Sequence, residues 1–283
     1  MSVIDDDDVS LGDSEEKPEY TASKQDEIEP CSLTQDIIGQ NLSLLCRTGD
    51  GLSHAFVRLD LHNRNLADIV ILSSFVHLRF LDISSNYLTD LSPLATLTEL
   101  LWLKADTNRV QSVQGNTIQT VSGLDYDKLT NLVSLELRGN LLKTTDGIYL
   151  PNLRRLYLAQ NKIKRLEGLD KLEHLTILHL RDNQLETLDG ISASMKSLQY
   201  LNIRGNLVSS QDALESLMGV ARTLRVLVLA DNPLSQTDDY RLIVISRLPL
   251  LERLDKGHIS LVEQVEAQER IREFQNFTEQ EDH

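Results

Sequence analysis

Seven stretches of this chain repeat one order of apolar and polar positions, L-x-x-L-x-L-x-x-N-x-L, with Ile, Val or Ala at some of the leucine sites. They are 78–88 (LRFLDISSNYL), 100–110 (LLWLKADTNRV), 132–142 (LVSLELRGNLL), 153–163 (LRRLYLAQNKI), 175–185 (LTILHLRDNQL), 198–208 (LQYLNIRGNLV) and 224–234 (LRVLVLADNPL). The asparagines Asn86, Asn108, Asn140, Asn161, Asn183, Asn206 and Asn232 fall at gaps of 22, 32, 21, 22, 23 and 26 residues. Within each unit the leucines alternate with outward positions, so each L-x-x-L-x-L segment predicts a short strand with a buried and an exposed side. No single unit can bury its leucines alone. Stacked units pair their strands in parallel around one continuous core, which makes the chain a solenoid. The asparagine stands where strand becomes loop, and its amide can satisfy backbone groups left free there.

A second mark follows seven residues after Asn140, Asn161 and Asn183, at Gly147, Gly168 and Gly190, and likewise after Asn116, at Gly123, each followed by Leu or Ile. Glycine there suits a sharp turn on the convex side that needs a positive φ or a close backbone approach. Both ends of the array predict caps. The unit 56–66 keeps the leucines but has Arg64 in place of asparagine, and residues 33–46 ahead of it read as a capping helix started by Thr34. After the last unit, Tyr240, Ile243, Ile245, Leu248, Leu251 and Leu254 supply apolar positions for the closing segment, in which Pro249 breaks a helix. Residues 259–277 form a further helix whose apolar positions Ile259, Val262, Val265, Ile271 and Phe274 lapse at Ala267. It either packs on the end of the solenoid or binds a partner.

One interval breaks the rhythm. Asn116 to Ile118 and Gly123 carry the second half of a unit, but the leucine sites before them hold Asn108, Gln111 and Val113. The expected arrangement is a loop bulge over 111–122, with strands near 102–105 and 133–137 still neighbours, in a shortened version of a longer solenoid. The organisation is then a disordered acidic tail (1–31), a capped solenoid (32–255) with an irregular long unit (108–140), and a helical tail (256–283).

Charge sharpens this division. The chain carries a net charge of −15, of which residues 1–30 contribute −9 from 11 acidic and 2 basic side chains. That composition predicts a solvated N-terminal segment. The overall sign argues against nucleic acid, which requires a basic face. Cys31 and Cys46 are the only cysteines, too few for disulfide-bonded caps, and the first 30 residues hold no apolar run. No apolar stretch reaches the roughly 18 residues of a membrane helix. These features lead to the expectation of an intracellular protein that engages no membrane.

No nucleophile constellation, phosphate-cradling glycine loop or metal-ligand spacing occurs. His174 and His179 are five residues apart on different parts of one coil, and the acids are scattered through loops and tails. The expectation is a non-enzymatic protein with no cofactor, no metal and no small-molecule substrate. The concave face is the informative surface. Its first column reads Phe80, Trp102, Ser134, Arg155, Ile177, Tyr200, Val226, and its second Asp82, Lys104, Glu136, Tyr157, His179, Asn202, Val228. The third reads Ser84, Asp106, Arg138, Ala159, Arg181, Arg204, Ala230. Trp102, Arg138, Arg155, Tyr157, His179, Arg181, Tyr200 and Arg204 are the candidate protein-binding residues, because aromatic and arginine side chains dominate binding hot spots. A basic, aromatic patch on an acidic chain points to an acidic protein partner.

The period and the closing segment 232–255 resemble the intracellular 22-residue class of leucine-rich repeats, which includes a phosphatase-1 regulatory subunit and an axonemal dynein light chain. That class implies an α/β leucine-rich-repeat solenoid with a parallel concave sheet, 3₁₀ turns on the convex side, a helical N-cap and a C-terminal cap. Longer runs at 42–59, 88–106, 156–169, 178–206 and 240–256 resemble a family of leucine-rich-repeat proteins of axonemal radial spokes. In that family the interval between Asn108 and Asn140 carries one to two further repeats. The resemblance implies a scaffold in the radial-spoke head of cilia and sperm flagella, with other spoke-head proteins as partners and a place in the axonemal cytoskeleton. The class alone admits a second expectation, a regulatory subunit that binds a protein phosphatase across its concave face.

Overall fold

The computed structural model describes residues 30–49, 51–108 and 128–281. The chain enters through β1 (Cys31–Ser32), helix α1 (Gln35–Asn41), β2 (Leu42–Arg47), β3 (His54–Asp60) and β4 (Leu66–Asp68). The repeats supply β5 (Phe80–Asp82), β6 (Trp102–Lys104), β7 (Ser134–Glu136), β8 (Arg155–Tyr157), β9 (Ile177–His179), β10 (Tyr200–Asn202) and β11 (Val226–Val228). Helix α2 (Tyr240–Arg247), β12 (Arg253–Leu254), β13 (Gly257–His258) and helix α3 (Leu261–Glu281) close the array. The described strands form an 11-stranded sheet in the order β13-β12-β11-β10-β9-β8-β7-β6-β5-β3-β2, with β1 and β4 paired separately. From β3 to β12 every pairing is parallel, and the convex side carries 3₁₀ turns such as Val70–Ser74, Ser92–Thr96 and Leu169–Lys171.

The leucines of the repeat fill the space between sheet and turns. Leu81, Leu103, Leu135, Leu156, Leu178, Leu201 and Leu227, one per coil, are wholly buried, and they belong to one continuous core. The landmark asparagines are buried as well, and their bonds explain the period. Asn183 donates from Nδ2 to the carbonyls of Leu180 and Arg181 in its own coil and of Leu158 in the coil before. Its Oδ1 accepts the amide of Ile163 at 3.0 Å. The same pattern runs through Asn108, Asn161, Asn206 and Asn232, so the amides form a ladder that staples each coil to its predecessor. The residue ahead of each asparagine is left-handed whatever its identity: Ser85, Thr107, Gly139, Gln160, Asp182, Gly205 and Asp231. That turn swings the asparagine inward. The glycine mark is also left-handed, at φ 86° for Gly147, 73° for Gly168 and 104° for Gly190. Gly123 lies outside the described residues, as do the acidic tail 1–29 and the interval 109–127. Across that interval β6 pairs directly with β7, Trp102 opposite Ser134, so the flanking strands are neighbours as the loop bulge requires.

The N-terminal cap departs from expectation, and the C-terminal cap follows it. The N-terminal helix spans only Gln35–Asn41, with the Thr34 hydroxyl accepting the Ile37 amide. Residues 42–46 are not helical, because they pair antiparallel with β3 and give the first coil an extra strand. At the other end α2 stops at Leu248 ahead of Pro249, and the carboxylate of Asp255 accepts the amides of Leu229 and Ala230 at 2.7 Å, where no further coil supplies a carbonyl. The Tyr240 hydroxyl donates to the same carboxylate, and burial, reinforced by that charge, raises its pKa.

Helix α3 packs against α2, so the solenoid-packing alternative holds for its first turns. The contact reverses the expected stripe. Ala267 is the buried residue and Val262 and Val265 face outward, because a small side chain lets two helices approach closely. The side chains of Ile271 and Phe274 lie outside the described residues. Arg241 and Ser260 hold the carboxylate of Glu263, and the Arg241 bond chiefly pushes its pKa down to about 2. A depressed carboxylate contributes fully above its unfolded value of about 4.3 and loses that contribution as pH falls towards 2. Acidification through this window is therefore expected to lower the protection of the Gln264 amide relative to its intrinsic exchange rate, and Glu263→Gln to remove that pH dependence of protection. A protection factor at Gln264 that stays constant down to pH 2 would contradict this role.

Candidate protein-binding site

The parallel register places the outward residues in straight rows across the concave face. Phe80, Trp102, Ser134, Arg155, Ile177, Tyr200 and Val226 are successive partners, and so are Asp82, Lys104, Glu136, Tyr157, His179, Asn202 and Val228. Where neighbouring strands present flat rings, the strand spacing of roughly 4.8 Å suits stacking. Tyr157, His179 and Tyr200 use it: successive ring centroids lie 4.8 Å apart with interplanar angles of 28° and 23°. The imidazole is buried between the two phenols, and half-buried Ile177, Val226 and Val228 extend the floor towards the C-terminal end.

Arginines flank this stack. Arg155 is exposed in the first row. Arg181 stands in the third row with its Nε 3.1 Å from Asp182, and Arg204 holds Asp231 at 2.6 Å. These local carboxylates lower the net positive charge below what the sequence columns suggest. Both pairs are partly solvated, and such contacts are worth little and exchange readily. Arg138 lies at the margin, its Nε 3.2 Å from the Gln160 side-chain oxygen.

Trp102 belongs to a different neighbourhood. Its indole donates to Glu136 at 2.7 Å, within a cluster of Asp82, Asp106, Glu136 and Lys104 on β5 to β7 and the turns that follow. Burial chiefly raises the pKa of both Asp106 and Glu136, opposed by the Arg138 amide at the first and the Trp102 indole at the second. The acids are therefore not all scattered. Three face one another on the concave side, because the register stacks positions that lie 24 to 54 residues apart in sequence. The column reading contained all three, and the signal for the cluster was the run Asp82, Lys104, Glu136 beside Asp106. The face thus has two halves: an acidic one around Trp102, and an aromatic one with arginines around Tyr157, His179 and Tyr200. Among the described residues no group of three or more His, Cys, Asp or Glu side chains could hold a metal ion, and no helix is long and apolar enough to cross a membrane.

Comparison with known proteins agrees with this architecture. The Leucine-rich repeat family matches residues 133–280, and a Leucine Rich Repeat unit matches residues 77–97. The chain is 44% identical over 272 residues to leucine-rich repeat-containing protein 23 of Homo sapiens, covering 84% of this chain and 79% of that protein. It is 42% identical over 305 residues to the protein of the same name from Mus musculus, covering 95% and 89%. Among solved structures, a leucine-rich-repeat protein of Leptospira interrogans superposes with a TM-score of 0.53 at 22% identity, over 68% of this chain and 52% of that one, which reflects the fold alone.

Proposed function

Because the chain belongs to the leucine-rich repeat-containing protein 23 family, we propose that it is a non-enzymatic scaffold of the axonemal radial-spoke head, supporting ciliary and sperm flagellar motility. Protein binding is the part carried by the fold itself. The placement in the axoneme, and other spoke-head proteins as partners, follow from the resemblance of the long runs at 42–59, 88–106 and 178–206. The observation that carries the binding reading is the Tyr157–His179–Tyr200 stack flanked by Arg155, Arg181 and Arg204. It offers rigid apolar area beside directional cationic donors, the combination that anchors an acidic protein segment.

Proximity labelling from this chain in a flagellated cell is expected to recover spoke-head proteins, and the double variant Arg181→Glu/Arg204→Glu to lose them while its melting temperature stays near that of the parent. Both residues are partly solvated and neither belongs to the apolar core, so reversal acts on the concave surface. Undiminished labelling of the same proteins by the variant would remove the patch from the proposal. Recovery of a phosphatase catalytic subunit in their place would favour the regulatory-subunit alternative.

A further inference from the structure

The concave face carries an occupant problem that the sequence itself answers. Its acidic half, around Asp82, Asp106 and Glu136, repels anions, whereas the half over β8 to β11 presents Arg155, Arg181 and Arg204 around an aromatic and aliphatic floor. The 29 residues ahead of Pro30 hold 11 acidic and 2 basic side chains. The acids start as the run Asp5 to Asp8, bordered by Val3 and Ile4 on one side and Val9 and Leu11 on the other. Apolar residues next to a block of carboxylates match a floor of tyrosine rings and aliphatic side chains bordered by guanidiniums.

We propose that this segment is an intramolecular occupant of the C-terminal half of the concave face, seating Asp5 to Asp8 against Arg155 and Arg181 so that a partner must displace it.

The geometry permits it. The described chain begins at Pro30 and β1 pairs with β4 on the first coil, while β9 lies five strand intervals from β3 along the sheet. At about 4.8 Å per interval that distance is roughly 24 Å. The 22 residues from Asp8 to Pro30 have a root-mean-square reach of about 26 Å as a flexible chain and several times that when extended. A tether whose typical length matches the span gives an effective concentration in the millimolar range, so even a weak contact, with a dissociation constant of about 1 mM, is occupied about half the time. The contact is electrostatic and therefore sensitive to salt. This inference uses the surface assigned above to protein binding but requires no spoke protein, so the two stand or fall on separate measurements.

The test is methyl NMR on the full chain with Cys31→Ser and Cys46→Ser and a nitroxide on Ser10→Cys. At low salt the label is expected to broaden the methyl signals of Ile177, Val226 and Val228 almost to disappearance, because so weak a contact exchanges fast and the paramagnetic relaxation is averaged over an occupancy near one half. It should spare Leu44, Leu45 and Leu52 at the other end of the sheet. Broadening should vanish when Asp5 to Asp8 are changed to asparagine, in Arg155→Glu/Arg181→Glu, and at about 0.5 M salt, where the Debye length falls to roughly 4 Å. Equal broadening at both ends of the sheet, none at Ile177 at low salt, or broadening that survives the four Asp→Asn changes would each overturn the proposal. The labelling experiment with Arg181→Glu/Arg204→Glu reads partner capture and is unaffected by any of those results.

Discussion

Asn183→Ala is expected to cost about 3–5 kcal/mol of folding free energy and to lower the melting temperature by roughly 10 °C. The side chain is 7% exposed and bonds four backbone groups in two coils: the carbonyls of Leu158, Leu180 and Arg181, and the amide of Ile163. Alanine leaves these polar groups with their partner gone and no room for bulk water, at about 1–3 kcal/mol for each one that stays unsatisfied. Because each coil touches only its neighbours, the damage should be local first. Amide exchange at Ile163 is expected to accelerate by far more than at Leu142, whose acceptor Asn161 is intact. Asn183→Asp is no rescue: its carboxylate can still accept the Ile163 amide but meets three carbonyl oxygens with no donor. Urea unfolding and exchange together decide the matter, and a parent-like midpoint with a protected Ile163 amide would refute the staple.

That staple was legible in the chain, and the turn that makes it work was not. The asparagine recurs in fixed phase and its chemistry is unambiguous, so both the coil boundary and the need for backbone partners followed from its position. The left-handed residue ahead of it is Ser, Thr, Gly, Gln or Asp in different coils. A conformation imposed by stacking, and tolerated by several residue types, leaves no compositional trace. The caps were harder for a related reason. Leu42 to Cys46 suit a helix by local propensity, but β3 has a free edge there and tertiary pairing prevails. Ala267 looked like a gap in an apolar stripe because contact between helices rewards smallness, which a count of large side chains scores as absence.

The binding face divides along the same line. The rows could be written down in advance because parallel pairing preserves register, and each predicted pair from Phe80 to Val226 occurs. What the rows could not give was which neighbours satisfy one another. Asp182 and Asp231 sit one residue beyond the columns, in the left-handed turns, and reach back to Arg181 and Arg204. Trp102 fits a hot-spot composition, yet its indole is engaged by Glu136. Composition locates a surface that can bind, and only side-chain geometry separates donors still available to a partner from those already bound within the chain.

A glycine pair provides the second large test, because the same substitution is expected to act with opposite sign at two sites. At Gly190 φ is +104°, and a Cβ there would stand 2.2 Å from the Leu166 carbonyl oxygen and 2.8 Å from the Leu166 Cβ. The obstacle is backbone of the preceding coil, which cannot swing aside as a flexible side chain would. Gly190→Ala thus combines a conformation that L-residues avoid, at about 1–3 kcal/mol, with overpacking of similar size, for a loss of about 3–5 kcal/mol. At Gly39, inside α1, nothing lies within 4 Å of the added methyl and φ is not positive. Gly39→Ala is therefore expected to gain about 0.5–1 kcal/mol from helix propensity and a less flexible unfolded chain. Gly168 lies between these extremes, since its Cβ would meet the Tyr149 ring, a side chain that can rotate away, although Lys171 rests 3.9 Å over that ring. Urea midpoints should rank Gly39→Ala above the parent, then Gly168→Ala, then Gly190→Ala. A Gly190→Ala chain as stable as the parent would mean that the convex turns can shift, and the close approach of coils at Leu166 would then not be what fixes glycine in the repeat.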